Sequence, residues 1–499
     1  MLLFIEVNTP VIQESLYMLV IPCPANLFHE PKELHQFLLA CQKKSQKQGI
    51  AKIASISQEI SPLDPLAVFQ AIRDRAAPFA ATPEPLHFYF ENISNQESIV
   101  AIDAAVSLKL AGEQRFYKAQ QFIDSCLANT IISGEIEQRL AGPHFFCSFT
   151  FFADKFNSNN PFPSATIFLP RWQISLCQSR CVVVANLEIN SQVNLDWLVE
   201  SVGRQFNLIT SSGRLLYCFT GKANHHEFLK QDSKKAKDFK LSVSSALKSI
   251  QANQFSKIVL SQAVDVVSPI PFNLVDSLDN LRHNYPDCYI FSISNGKGKN
   301  FIGASPERLI SIYDHQLVTD ALAGSAPRGQ TPAEDADLAN QLLSSEKERR
   351  EHNAVSEFII QRLCQLGLEL DFSPSPQLLK LSNIQHLWTP IKAALPAHVN
   401  PLEIIAKLHP TPAVAGVPTK IACEQIRHYE TFDRSLYAAP LGWIDYQGNS
   451  EFIVGIRSAL IAGNHARLYA GAGIVAGSDP NKELAEINLK LMVLLKALV

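Results

Sequence analysis

The sequence predicts an α+β fold in which antiparallel hairpins dominate and helices lie outside them. Three observations lead there. Apolar runs and period-two alternations of strand length follow one another with only turn residues between, from "HFYFENI" to about Phe219 and again from Lys257 onward. Segments with helical periodicity are few and do not alternate regularly with the strands, so parallel βαβ units are not indicated. With 46 % apolar and 18 % charged residues over 499 positions, the chain can bury a large core. Length alone suggests two or three domains, as a prior.

Residues 1–110 mix short apolar runs with proline clusters ("IPCPANLFHEP", "AAPFAATPEPLHFYF") and yield no motif and no readable role. The opening "MLLFIEVNTPVIQESLYMLV" lacks a basic n-region and carries acidic residues early, which makes a poor signal peptide. Residues 111–239 follow as a strand-rich part with a linker. "FFCSFTFFA", "SATIFLPRWQISL" and "RCVVVANLEI" read as strands, and "VNLDWLVESVGRQF" as a helix. The lysine-rich Lys222–Lys240 stretch reads as an exposed connection.

Residues 240–499 carry the chemistry. "LSVSSALKSIQANQ" is expected as a helix, and "FSKIVLSQAVDVV" as a strand that Lys257 heads. "CYIFSISN" and "NFIGASPERLISIY" are expected strands, the second interrupted at Ser305-Pro306-Glu307. Thr331-Pro332-Ala333-Glu334 spells a capping box, predicted to open one long helix that contains "SEKERREHNAVSEFIIQRL". "SEFIVGIRSALI" and "ARLYAGAGIV" are expected to pair and to deliver a glycine-rich turn. Behind it, Asp479 and Pro480 predict an N-cap and first helical position, placing Glu483, Glu486 and Lys490 on one helix side. Leu484, Ile487, Leu489, Leu491, Met492, Leu494 and Leu495 are expected to anchor that helix.

Bulk properties exclude several classes. A formal net charge of −3 gives no reason to expect nucleic acid or an anionic membrane as partner, and no apolar run reaches the roughly 18 residues of a membrane span. The ten cysteines are scattered without a CxxC, and Cys177 and Cys181 flank an expected hairpin turn. They suit buried thiols in a reducing cytoplasm better than disulfides or zinc.

Four ionisable residues stand out in the second half. Lys257 heads an apolar strand, Glu307 follows a proline in an apolar segment, Glu351 lies within "KERREH", and Arg457 interrupts an apolar strand. Each has an ordinary structural reading: a strand-end lysine, a turn acid, a solvated helix face, a buried ion pair. Their recurrence in one half of the chain favours a site.

The blocks "KIVLSQA", "FIGASPERL", "ALAGSAPRG", "SEKERREHNAV", "LHPTPAVAG", "LYAAPLGW", "EFIVGIRSA" and "GAGIVAGSDPNKELAEINLK" resemble, in that order, the motifs of the chorismate-utilising enzymes. The family includes isochorismate, salicylate, anthranilate and aminodeoxychorismate synthases. The resemblance implies an α/β sandwich of large antiparallel sheets with helices outside. It also implies a Mg²⁺ site made by Glu351 and Glu486, with Glu483 acting through water, against the ring carboxylate of chorismate. Arg457 matches the clamp on the pyruvyl carboxylate. Tyr437, the Gly471 and Gly473 backbone and Lys490 complete the pocket, Gly324 and Ser325 line the ring side, and His386 fits a histidine near the substrate.

By the same resemblance Lys257 is the base for an incoming water and Glu307 the acid for the leaving hydroxyl. Burial, which lowers the pKa of an ammonium and raises that of a carboxyl, would suit both roles. Ammonia-using relatives differ at these positions, and no glutamine amidotransferase domain is recognisable, so no such partner is expected. Ala413 in "HPTPAVAG" resembles isochorismate synthases more than salicylate synthases, which tend to carry a hydroxyl there. The expectation is therefore a Mg²⁺-dependent isochorismate synthase. Salicylate synthase, or a catalytically degenerate chorismate-binding protein, are the alternatives. Departures from the family pattern are Asp320, Gln262, Ser435 and Ala439.

Overall fold

The computed structural model describes residues 19–21, 26–76, 85–154, 160–212, 233–381 and 384–498. One run of antiparallel partners starts at the Lys257–Val267 strand, which pairs along its whole length with His465–Val475. The run continues through Ser458–Ala462, Asn300–Ser305, Tyr289–Ser294, His87–Asn92 and Glu97–Leu110. A second run goes from Ile384–Ala394 through Gln316–Pro327, Arg308–Tyr313, Ser450–Val454 and Pro440–Asp445 to His144–Phe149.

Both runs end on the Ala165–Cys177 strand, which pairs with Glu97–Leu110 on one side and with His144–Phe149 and Arg180–Ile189 on the other. Pro170 sits within this strand, next to a register shift between Ala104 and Val106 on the partner, where a missing N–H is tolerated. Large antiparallel sheets with helices outside are thus the observed architecture, in agreement with the expectation. Their inner faces share one apolar core that runs from Leu27 to Leu498. Helix Pro31–Gln48 packs beside Leu195–Ser212, and Ser233–Gln251 beside Pro480–Ala497.

The first 110 residues, opaque as sequence, contribute Lys52–Ile60, His87–Asn92 and Glu97–Leu110 to the sheets and two helices to their outside. No helix among the described residues is long and apolar enough to cross a membrane. Among the described residues Cys126, Cys147, Cys177, Cys181, Cys288, Cys364 and Cys423 form no disulfide, and Cys177 and Cys181 lie on either side of their hairpin turn.

Four local expectations need correction. The single long helix after Thr331 is two, Pro332–Ser344 and Glu346–Cys364, because Ser345 turns extended and its hydroxyl caps the Glu348 N–H. Arg457 does not lie in a strand; it sits in the break between Ser450–Val454 and Ser458–Ala462 with φ +48°. The lysine-rich connection is already helical from Ser233, its preceding residues lying outside those described. In the last helix Leu489 and Met492 point outward, 71 % and 46 % exposed, because the buried stripe runs through Leu484, Ile487, Leu491 and Leu494.

Candidate active site

A cleft of about 350 Å³ opens where the two sheet runs meet the helices Glu346–Cys364 and Pro480–Ala497. Every candidate catalytic, substrate-binding or metal residue named from the sequence lines it except Lys257, which lies behind Gly473 and Glu351.

The Ser305-Pro306-Glu307 turn places a carboxyl there by a defined local mechanism. The Ser305 hydroxyl donates to the Val454 carbonyl at 2.6 Å and accepts the Glu307 N–H at 3.2 Å, while the Val454 N–H donates to the Glu307 carbonyl. The turn is therefore pinned to the end of the neighbouring strand. Glu307 is buried, and its pKa is pushed up to about 7; burial is the main cause, Asp320 adds to it, and Lys257 and Arg457 oppose it.

Lys257, 3 % exposed, donates to Glu351 Oε1 at 2.7 Å. Burial works against ionisation of Glu351, but the Lys257 ammonium outweighs it and holds that carboxyl below its ordinary range. Gly473 leaves the room for this pair, since a Cβ there would stand 3.1 Å from Glu351 Oε1 and 3.3 Å from Lys257 Cε. Gly471 does the same for Tyr437: a Cβ would lie 2.7 Å from the phenol oxygen and 3.0 Å from Ser261 Oγ. Burial pushes the Tyr437 hydroxyl up to about 12, so it stays a neutral donor.

Asp479 caps the last helix as expected, accepting the Asn481 and Lys482 N–H groups. Glu483, Glu486 and Lys490 all reach the cleft. Lys490 both pairs with Glu486 at 2.7 Å and donates to the Gly471 carbonyl at 2.9 Å, so it ties the helix to the glycine strand. Gly324, at φ +75°, and Ser325 line the cleft, Ser325 paired across strands with His386, and Ala413 lines it as well. His386 is pushed down to about 3, chiefly by burial, and is neutral.

Glu348 escaped the sequence reading, although it lies three residues before Glu351 just as Glu483 lies three before Glu486. The signal was there: two E-x-x-E pairs on two helices. Its carboxylate accepts the Ser325 N–H at 3.2 Å. Burial raises the pKa of Glu348, with Glu351 adding, and that of Glu483, with Glu486 and Glu351 adding. Four carboxylates that repel one another in one cleft are suitable hard-oxygen donors for a divalent cation. Among the described residues no three of them are drawn into a preformed cage.

A family model described as "Chorismate binding enzyme" matches residues 36–499, reaching well before the stretch that carries the motifs. A salicylate biosynthesis isochorismate synthase of Pseudomonas aeruginosa is 32 % identical over 470 residues, covering 89 % of this chain and 90 % of that one. An isochorismate synthase of Bacillus subtilis is 38 % identical over 261 residues, a match spanning 52 % of this chain and 55 % of the relative. The structure resembles that of the menaquinone-specific isochorismate synthase from Escherichia coli with a TM-score of 0.70 and 26 % identity, over 92 % of this chain and 99 % of that one.

Proposed function

The chain belongs to the chorismate-binding enzymes, and on that premise we propose that it is an isochorismate synthase whose reacting groups are Lys257 and Glu307. Water adds at C2 of chorismate, the ring double bonds shift, and the C4 hydroxyl departs. Lys257, acting as the neutral amine once its ammonium proton has been given up, takes a proton from the incoming water and Glu307 gives one to the leaving hydroxyl. The proton passes back from Lys257 to Glu307 after turnover, so water enters, water leaves, and the product is an isomer. The carrying observation is Glu307: a buried carboxyl with a pKa near 7 that faces the cleft is a general acid at physiological pH.

Arg457 holds the pyruvyl carboxylate, and Tyr437, Lys490 and the backbone at Gly471 and Gly473 hold the rest of the substrate against the ring wall of Gly324 and Ser325. Glu351 and Glu486 would hold Mg²⁺, with Glu483 acting through water. The ion supplies positive charge for the ring carboxylate when bound. Glu351 is held by Lys257 and Glu486 by Lys490 in this structure, so both carboxylates must change partner when the ion enters. Ala413 puts a methyl group, not a hydroxyl, beside the ring, which supports release of isochorismate without pyruvate elimination. Water as nucleophile requires no amidotransferase partner, and free thiols suit the cytoplasm as working compartment. The reacting groups lie in residues 240–499; residues 1–110 carry no assigned chemistry.

The experiment is incubation of the purified protein with chorismate and Mg²⁺, followed by chromatography of the products. Isochorismate is expected. Salicylate as the major product would replace this reading with salicylate synthase, and tight chorismate binding without turnover would leave a binding protein.

A further inference from the structure

We propose that Cys288 is a positioning residue for Arg457: its thiol accepts a hydrogen bond from the guanidinium and aims that group at the substrate without neutralising it. The inference rests on the reading of Arg457 as the carboxylate clamp.

Arg457 is held in two places. Its backbone, at φ +48°, is locked by the bond from the Ala304 N–H to its carbonyl at 3.1 Å. Gly303 makes that approach possible, since a Cβ there would stand 2.6 Å from the same carbonyl oxygen. Left-handed backbone at a non-glycine residue is a strained state that persists only when the surroundings enforce it. These contacts fix where the side chain starts but not where it ends. The end is set by Nη1 of Arg457 donating to Cys288 Sγ at 3.7 Å.

Cys288, 4 % exposed, directly precedes the Tyr289–Ser294 strand, whose partner strand Asn300–Ser305 contains Gly303. The same pair of strands therefore carries both supports. No carboxylate among the described residues pairs with Arg457, unlike Arg308 or Arg434, which are bidentate to Asp320 and Glu430. Burial pushes the Cys288 thiol up, with Arg457 opposing and Asp287 adding, so sulfur stays protonated and uncharged. A carboxylate in this place would hold the guanidinium more firmly and spend the charge the substrate needs. A neutral, weak acceptor orients it and leaves the charge available.

The pyruvyl carboxylate takes no part in the bonds that form at C2 and break at C4, so its clamp binds ground and transition states alike. Loss of orientation should then appear in KM rather than kcat. The test measures both constants, and the melting temperature, for Cys288→Val, Cys288→Ser and Cys288→Asp, with Cys288→Val repeated in an Arg457→Gln background. Cys288→Val removes the acceptor while keeping an apolar side chain one methyl group bulkier, and should raise KM about five- to tenfold with kcat within about twofold. Cys288→Ser restores an acceptor and should stay within about twofold of wild type, whereas Cys288→Asp should raise KM by more than about thirtyfold. Arg457→Gln should raise KM, and adding Cys288→Val to it should change nothing further. If Cys288→Val does not fold, Cys288→Ala carries the same expectation. Unchanged KM in Cys288→Val, or an equal increase in both backgrounds, overturns the role of Cys288 alone. An unchanged KM in Arg457→Gln overturns the clamp reading itself.

Discussion

At the scale of single residues the proposed acid is one carboxyl whose protonated form burial favours. Glu307 has a folded pKa of about 7, raised mainly by desolvation. It is therefore in its acid form below about pH 7 and loses it as pH rises further, so kcat/KM should fall along a basic limb centred near 7. Glu307→Gln should remove that limb together with about 10²- to 10⁴-fold of kcat. Linkage supplies a second readout. A carboxyl whose folded pKa lies above its unfolded value favours the folded state at low pH, and that stability is lost as pH climbs through 7. Glu307→Gln, which cannot ionise, should thus melt higher than wild type at pH 8, with a difference that shrinks toward pH 5. A variant with wild-type turnover, or with no pH-dependent gain in melting temperature, would remove Glu307 from the acid role.

At the scale of elements, two helices each present an E-x-x-E pair to the cleft, and a glycine strand runs between them. Glu486→Gln removes a cation ligand and Glu348→Gln does not, if Glu351 and Glu486 are the direct donors. Titration of Mg²⁺ by calorimetry should show affinity falling by at least about tenfold for Glu486→Gln and by much less for Glu348→Gln. Equal losses would make Glu348 a ligand of the same rank. Gly471→Ala should be worse for catalysis than for folding, because its Cβ would push the Tyr437 hydroxyl, at the end of a side chain that lines the cleft. A KM unaltered by Gly471→Ala would show that Tyr437 is not needed at its present position.

The elements also show what a sequence can reveal. Strands bounded by turn residues, such as Arg180–Ile189 and Lys257–Val267, and the Asp479-Pro480 helix start were legible because local chemistry sets them. The break at Ser345 was equally local, a second S-x-x-E box that the strong helical run around it obscured. Arg457 was misplaced for a different reason. Its left-handed backbone is enforced by Ala304 and Gly303, some 150 residues away in the chain, and no periodicity encodes that. Lys257, Glu307 and Arg457 stood out because charge in apolar surroundings is costly without a purpose, whereas Glu351, inside the "KERREH" charge run, took its role from the family resemblance. Cys288 did not, since a buried cysteine beside a strand is ordinary.

At the scale of the whole molecule, a buried ion pair joins the walls of the cleft. Arg434, fully buried, is bidentate to Glu430 and also donates to the Val414 and Val259 carbonyls, while Glu430 accepts the Ser261 N–H. The loop carrying Ala413, the strand headed by Lys257 and the turn carrying Tyr437 are thereby fastened to one another; the Tyr437 N–H itself donates to the Arg434 carbonyl. No single element could hold these three in register. A buried pair is weak evidence for net stability, because desolvation offsets much of its attraction, yet breaking one side leaves an uncompensated charge. Arg434→Met should therefore cost about 3–5 kcal/mol, more than most core truncations of similar volume. Removing the stranded charge as well, in Arg434→Met with Glu430→Gln, should recover a good part of the stability. It should not recover chorismate affinity, since the carbonyls of Val414 and Val259 remain without their donor and the walls are no longer tied. Denaturation midpoints and KM, measured for the single and double variants, separate the two effects. Full recovery of both in the double variant would mean that the pair is a local filler, and that the geometry of the cleft is fixed by the sheets alone.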